Sequence, residues 1–183
     1  MPVLKRIFLE LTGCLGISGY MHMDNIQILG FRATIDSVED TLDLIEEIKK
    51  DGEIIQLLNA DSIASKNHVF HAVNQAFLAF ERGNNLAKDI SVEIALRCSA
   101  QRQISKAFKI LGLKEGKMNI CAVLINCDDY ASELSSIFTL DESVLIPNNE
   151  NLINVYNISS LELENMSVED VIIDRITKLT VDY

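Results

Sequence analysis

The pattern of hydrophobic and polar residues predicts alternating strands and helices from residue 26 onward. Ile26-Gln-Ile-Leu-Gly-Phe-Arg32 is rich in β-branched and apolar residues and predicts a strand. Asp36-Ser37 offers a helix N-cap, and the apolar residues after it recur at helical spacing until Lys49-Lys50. The apolar face of this helix consists of Val38, Leu42, Ile45 and Ile48. Residues 53–58 predict a second strand.

Helical spacing returns over residues 62–82, where aromatic residues form a stripe along one face. The stripe consists of Phe70, Val73, Phe77 and Phe80. Such a stripe is more typical of a hydrophobic core than of a platform on which bases stack. Gly83-Asn-Asn85 ends the helix.

The middle of the chain predicts two more helices and a buried strand. The helices cover residues 90–98 and 101–111, and Ser99 is predicted to cap the N-terminus of the second. The run Met118-Asn-Ile-Cys-Ala-Val-Leu-Ile125 is nearly all apolar, which is typical of a central strand buried on both faces.

The remaining chain predicts a helix from Asp128-Asp129 to about Phe138 and a last helix capped by Ser167. Residues 152–158 fit either a helix or a strand. These elements together predict an α+β fold: a single domain over residues 25–183, with a small, mostly antiparallel sheet packed against several helices. Residues 1–24 are interpreted as an N-terminal extension whose order the sequence does not decide.

The cysteines and histidines predict no metal site and no cofactor. None of Cys14, Cys98, Cys121 and Cys127 forms a CxxC pair, and the three histidines lack zinc-finger spacing. The four cysteines are therefore expected to be reduced and buried, as in cytoplasmic proteins. Leu11-Thr-Gly-Cys14 resembles a lipoprotein cleavage site, but Glu10 interrupts the short apolar stretch before it. No stretch approaches the ~20 apolar residues of a membrane-spanning helix.

The charge is unevenly distributed. The 183 residues carry a formal net charge of −11, which argues against a broad grip on a nucleic-acid backbone. Residues 61–117, however, hold nine basic and five acidic residues, for a net charge of +4. Because salt screens charges beyond about 8 Å, a local basic face can still bind an anion. The alternative is that these residues lie on solvated helix faces in pairs such as Glu93 with Arg97.

Two polar clusters within the basic segment are candidates for binding chemistry. His68, His71 and Gln75 share a helix face, which is more typical of a polar surface or an anion contact than of a metal site. Arg97-Cys-Ser-Ala-Gln-Arg-Gln103 joins two helices and is predicted to place Ser99 at a helix N-terminus, where backbone N–H groups favour an anion. The two arginines of this run could bind phosphate or base edges, or tie the junction to nearby carboxylates and carbonyls.

No pattern indicates catalysis. Gly112-Leu-Lys-Glu-Gly-Lys-Met118 resembles a phosphate-binding loop, but its spacing is wrong and the Ser or Thr that would hold magnesium is missing. No nucleophile elbow is present, and no carboxylate dyad can be defended from sequence.

Two runs resemble the kinase-binding subunit of the KEOPS complex, most closely its archaeal members. One extends from Leu58-Asn-Ala-Asp-Ser to Asn74-Gln-Ala76, and the other from Glu93-Ile-Ala-Leu-Arg97 to Ile104. The resemblance covers residues 26–183 and includes the helix start Ser167-Val-Glu-Asp-Val171. Ala100 departs from it, because that family has glycine after the serine.

The resemblance implies a non-catalytic subunit in tRNA modification. KEOPS forms threonylcarbamoyladenosine next to the anticodon of ANN-decoding tRNAs. This subunit is expected to bind and stimulate the atypical kinase/ATPase of the complex directly, to reach other KEOPS subunits indirectly, and to recruit tRNA through its 3′ CCA end. RNA binding is then expected at Lys66, His68, His71, Arg97, Ser99, Arg102 and Gln103.

Two other functions stay open at this point. The first is a protein-interaction adaptor that holds the kinase and never contacts RNA. The second is a small hydrolase or metal enzyme that would use His68, His71 and a remote acid.

Overall fold

The computed structural model describes residues 25–180 and shows a four-stranded antiparallel sheet in the order β2-β3-β1-β4. The strands are β1 (Ile26–Ile35), β2 (Ile54–Asn59), β3 (Gly116–Ile125) and β4 (Thr139–Leu140). The predicted α+β class and antiparallel sheet are confirmed. The predicted N-terminal extension, residues 1–24, lies outside the described residues.

Eight α-helices accompany the sheet in the described part of the chain. They are α1 (Val38–Ile48), α2 (Lys66–Arg82), α3 (Ile90–Cys98), α4 (Ile104–Leu111), α5 (Ala131–Ile137), α6 (Asn149–Tyr156), α7 (Ser160–Leu163) and α8 (Val168–Lys178). Two 3₁₀ turns, Ala60–Ser62 and Glu142–Leu145, lie beside the sheet. None of the helices between residues 25 and 180 is long and apolar enough to cross a membrane.

Serine caps define where four of the described helices begin, and α1, α2 and α8 are three of them. The hydroxyls of Ser37, Ser65 and Ser167 accept hydrogen bonds from the first-turn N–H groups of α1, α2 and α8. The caps at Ser37 and Ser167 confirm two predicted helix starts. Helix α2 begins four residues later than its periodicity predicts, because residues 60–62 form a 3₁₀ turn capped by Asn59.

Strand β3 lies between two hydrophobic layers. Cys121, Val123 and Ile125 pack into the larger layer, together with residues of α2, α3, α6 and α8. Ile120, Ala122 and Leu124 pack into the smaller layer, together with residues of α1 and α5. Because β1 and β2 flank it on both edges, β3 is the buried central strand that its apolar run predicts.

The aromatic stripe of α2 is only partly buried. Val73 and Phe77 are in the core and Phe80 packs against it, but Phe70 is 47% exposed. The prediction of a core position is therefore wrong for Phe70. The buried face of α2 includes Val69, Ala72 and Ala76, and at helical spacing Phe70 falls on the opposite, exposed side.

Candidate nucleic-acid interface

Helices α2 and α8 run side by side in the same direction. The Ser65 hydroxyl donates to Glu169 over 2.6 Å, His71 Nε2 lies 2.9 Å from the Thr177 hydroxyl, and the Thr180 hydroxyl donates to Gln75 over 3.3 Å. Each contact lies further along both helices than the one before it. His71 and Gln75 therefore face α8, and partial burial lowers the pKa of His71.

His68 is turned into the protein interior, where both ring nitrogens are engaged. Nδ1 accepts a hydrogen bond from the Ala64 N–H over 3.1 Å, so Nε2 carries the proton and donates to the Cys98 carbonyl over 2.8 Å. Loss of hydration lowers the pKa of His68 to about 4. The imidazole is neutral at physiological pH and has no free lone pair, so it cannot share a metal ion with His71.

Tyr156 of α6 completes the polar network around Cys98. Its hydroxyl lies 2.9 Å from the carbonyl of Ser62 and 3.0 Å from that of Cys98. Burial raises the pKa of Tyr156 well above the ordinary tyrosine value. The network joins the 3₁₀ turn after β2, the start of α2 and the end of α3, and so fixes the two sequence runs of the family resemblance against each other.

Arg97 and Glu93 form a fully buried ion pair on α3. Arg97 Nε donates to Glu93 Oε1 over 2.8 Å, and Nη1 donates to the Thr180 hydroxyl over 3.0 Å. The other carboxylate oxygen of Glu93 accepts from the N–H groups of Leu86 and Ala87. The predicted pairing is confirmed, but its predicted exposure to solvent is wrong: both side chains are 0% exposed.

The junction between α3 and α4 differs from its prediction. Ser99 ends α3, and its hydroxyl donates to the Leu96 carbonyl over 3.1 Å. Ala100 has a left-handed φ of 51°, and the Gln101 N–H returns to the Leu96 carbonyl over 3.0 Å, which is the Schellman ending of a helix. Ser99 is therefore not the N-cap of α4. That position belongs to Gln103, whose side chain makes no capping bond.

Six of the seven predicted RNA-binding residues fall into three places, and the seventh, Gln103, is the N-cap residue of α4. His71, Arg97 and Arg102 converge on residues 177–180 at the end of α8, where Arg102 Nη2 donates to the Leu179 carbonyl over 3.3 Å. His68 and Ser99 lie in the interior around the end of α3. Lys66, at the start of α2, pairs with Glu142 over 2.6 Å.

Four of the seven predicted residues reach the surface. Lys66, Arg102 and Gln103 are exposed, and His71 is half-buried. His68, Arg97 and Ser99 are buried, so in this conformation they position the backbone and are not available to a ligand. Arg97 pairs with the carboxylate of Glu93 and Arg102 donates to the carbonyl of Leu179, which are contacts of the kind that the structural alternative predicts.

A groove between α4 and α6 was not predicted. It has a volume of about 610 Å³, and its wall includes Lys106, Lys109 and Lys114. The signal available in the sequence was the spacing of Lys106 and Lys109, which places both on one face of α4. The opposite wall comes from α6, some 40 residues later, and no local pattern brings the two walls together.

Comparison with known proteins gives two matches. The family model described as kinase binding protein CGI-121 matches residues 35–178. The regulatory protein Cgi121 of Methanocaldococcus jannaschii is 45% identical over 83 residues, which are 45% of this chain and 51% of that relative. The match thus spans about half the length of the curated relative, whereas the family model spans most of the described fold.

Proposed function

The chain belongs to the CGI-121 family of kinase-binding proteins, and from this premise we propose that it is a non-catalytic subunit of the KEOPS tRNA-modification complex. The family is one of regulatory proteins and not of enzymes. In this proposal the protein acts in the cytoplasm, binds and stimulates the atypical kinase/ATPase of the complex, and meets other KEOPS subunits through it. The observation that carries the proposal is the family match over residues 35–178.

The proposal includes recruitment of tRNA through its 3′ CCA end. Exposed Arg102 and Gln103 supply the contacts near the end of α8, with His71 at the edge of the site, and exposed Lys66 at the start of α2 is a separate contact. An unpaired end suits a small basic spot, because its bases expose their edges and faces and its backbone needs few cations. His68, Arg97 and Ser99 keep a role in RNA binding only by holding the α3–α4 junction in place.

A copurification experiment tests the kinase role. The full chain is immobilised through an affinity tag and mixed with the KEOPS kinase subunit, with an unrelated acidic protein of similar size as the control. We expect the kinase to be retained and its ATPase rate to rise when this chain is added. A kinase that is neither retained nor stimulated would rule out the proposed role.

A tRNA-binding experiment tests the RNA role. Affinity is measured for one tRNA with its CCA end and for the same tRNA without it. Each bound base contributes about 1–3 kcal/mol, so removal of the three bases should weaken binding at least tenfold. Equal affinities would favour the adaptor that binds the kinase alone.

Variants locate the RNA contact. Arg102→Ala and Lys66→Ala should each weaken binding of the intact tRNA several-fold. Lys50→Ala is the matched control, because Lys50 is an exposed lysine outside the basic segment and its loss changes the net charge by the same amount. If Lys50→Ala weakens binding as much as Arg102→Ala does, the effect is one of overall charge and the assignment fails.

A further inference from the structure

The hydroxyl of Thr180 ties the end of α8 to two other helices. It accepts a hydrogen bond from Arg97 Nη1 of α3 over 3.0 Å and donates one to Gln75 Oε1 of α2 over 3.3 Å. A threonine hydroxyl has one proton to donate, so these two contacts together fix the direction of its O–H bond. The hydroxyl therefore joins three helices at one point.

The buried guanidinium of Arg97 makes this connection rigid. Its Nε and Nη2 both lie 2.8 Å from Glu93 Oε1, and Nη1 is left to donate to Thr180. Both charged side chains are fully buried. A guanidinium is planar, so the ion pair that fixes one side of it also fixes the direction of the other. The position of Thr180 is therefore set by α3 and not by α8 alone.

The peptide group between Leu179 and Thr180 carries this position to the surface. Its N–H donates to the Thr177 carbonyl over 3.1 Å, and its carbonyl accepts from Arg102 Nη2 over 3.3 Å. Leu179 is buried, whereas Arg102 is exposed. Because a peptide group is planar, the contacts that hold Thr180 in place also restrict the direction of the Leu179 carbonyl.

We propose that Thr180 is a positioning residue for tRNA binding: its hydroxyl holds the last peptide group of α8, whose carbonyl orients the exposed guanidinium of Arg102. The inference rests on the proposed function, in which Arg102 contacts the tRNA. Without the Thr180 hydroxyl, Arg102 keeps its charge but samples more rotamers before binding. Binding then has to order this side chain, which weakens the affinity although Arg102 itself is still present.

The affinity for intact tRNA tests the proposal in variants of the full chain. Thr180→Val keeps the shape of the side chain and removes the hydroxyl, whereas Thr180→Ser keeps the hydroxyl. We expect Thr180→Val to bind about fivefold more weakly, the size expected for the ordering of one flexible side chain, and Thr180→Ser to bind as the unmodified chain does.

Thr41→Val is the matched control. It also removes a threonine hydroxyl that makes a hydrogen bond, in this case to the Ser37 carbonyl of α1 on the opposite side of the sheet. It should bind tRNA as the unmodified chain does. Unchanged affinity in Thr180→Val, or equal weakening in Thr41→Val, would overturn the inference.

A double-mutant cycle separates positioning from a general effect on the fold. If Thr180 acts through Arg102, Thr180→Val should weaken binding in the unmodified chain and have no further effect in the Arg102→Ala background. The same loss in both backgrounds would show that Thr180 supports the fold in general, and the positioning role would be overturned.

A measurement without RNA tests the same contact directly. In the free protein, ¹⁵N relaxation of the Arg102 Nε–H group should show motion of larger amplitude in Thr180→Val than in the unmodified chain or in Thr41→Val. Arg102→Lys identifies the signal by its loss. Unchanged motion in Thr180→Val would overturn the inference whatever the tRNA affinities are.

A second variant decides the matter if Thr180→Val does not fold. Gln75→Met removes the acceptor of the Thr180 proton and leaves the partner of Arg97 in place. It should also weaken tRNA binding, and an unchanged affinity would overturn the inference.

The outcomes distinguish this inference from the proposed function. If Arg102→Ala weakens tRNA binding but neither Thr180→Val nor Gln75→Met does, only the positioning role fails. If tRNA with and without its CCA end binds equally well, the RNA part of the proposed function fails, and the relaxation measurement decides whether Thr180 orients Arg102.

Discussion

The ring of His68 donates a hydrogen bond to the carbonyl of Cys98 over 2.8 Å and so joins the start of α2 to the end of α3. The other ring nitrogen accepts from the Ala64 N–H, so the site holds a neutral imidazole in one tautomer. A second proton would remove that acceptor and place a charge in a fully buried position. Folding of this region is therefore coupled to the protonation of one histidine.

The coupling predicts that stability falls in mild acid. The pKa of His68 is about 4 in the folded chain and about 6.5 in an unfolded chain, so the unfolded state binds the proton more readily. Neutral His68 contributes fully to the free energy of unfolding above pH 6.5. This contribution is lost as the pH falls towards 4, and about 2 kcal/mol of it is gone by pH 5. Urea denaturation at pH 8 and pH 5 measures this loss, which should be smaller in His68→Gln. His71→Gln is the control, because the ring of His71 is only partly buried. An equal loss of stability between pH 8 and pH 5 in His68→Gln and in the unmodified chain would contradict the prediction.

Replacement of Arg97 should destabilise the fold far more than replacement of Arg102. Arg97→Met leaves the carboxylate of Glu93 buried without its cation, which costs about 3–5 kcal/mol. Arg102→Ala removes an exposed side chain and should cost less than about 1 kcal/mol. Chemical denaturation of both variants gives the comparison. The double variant Glu93→Gln/Arg97→Met removes both charges and keeps an acceptor for the N–H groups of Leu86 and Ala87. It should therefore recover part of the stability that Arg97→Met loses. If it recovers none, burial of the unpaired charge is not the cause of the loss.

Ala100→Gly should stabilise the protein. A φ of 51° costs about 1 kcal/mol for a residue with a Cβ and little for glycine. Thermal and urea denaturation should show a gain of about that size. Ala95→Gly, in the interior of α3, is the matched control and should lose about 1 kcal/mol because glycine is a poor helix former. If both substitutions destabilise, the left-handed conformation at residue 100 carries no strain.

The buried thiols should react only when the chain unfolds. Burial raises the pKa of Cys121 to about 12 and raises that of Cys98 as well, so neither forms thiolate at pH 8. Mass spectrometry after iodoacetamide treatment should find these two cysteines unmodified in buffer and modified in urea. Labelling in buffer that is faster than unfolding would show that the layer around β3 opens locally.

The local pattern of the sequence predicts elements better than it predicts which side of them is buried. The run at residues 118–125 identified the central strand, because the six consecutive apolar residues 120–125 leave no face for solvent. The spacing of Glu93 and Arg97 predicted their pairing, but the burial of that pair depends on Thr180, which lies 83 residues beyond Arg97. Strand β4 has two residues, too few for any period to be visible.

The candidate site could be predicted only in part for the same reason. The composition of residues 61–117 indicated a basic region, and the resemblance selected residues within it. Which of them reach the surface depends on α8, and Ser99 was misplaced because a left-handed alanine after it is hard to foresee. The groove combines Lys106 and Lys109 of α4 with side chains of α6 such as Val155, and their encounter is a property of the fold and not of either segment.

The position of β3 also sets the order in which the sheet can assemble during synthesis. Ile26 of β1 and Ile54 of β2 both pair with Ile125 at the end of β3, and the two early strands do not pair with each other. On the ribosome, β1 and β2 are synthesised first, and they remain unpaired with β3 until β3 has left the exit tunnel. The nascent chain is then exposed to misassociation through its strand edges for most of its translation, and a slow step that depends on these distant pairings should limit its folding rate.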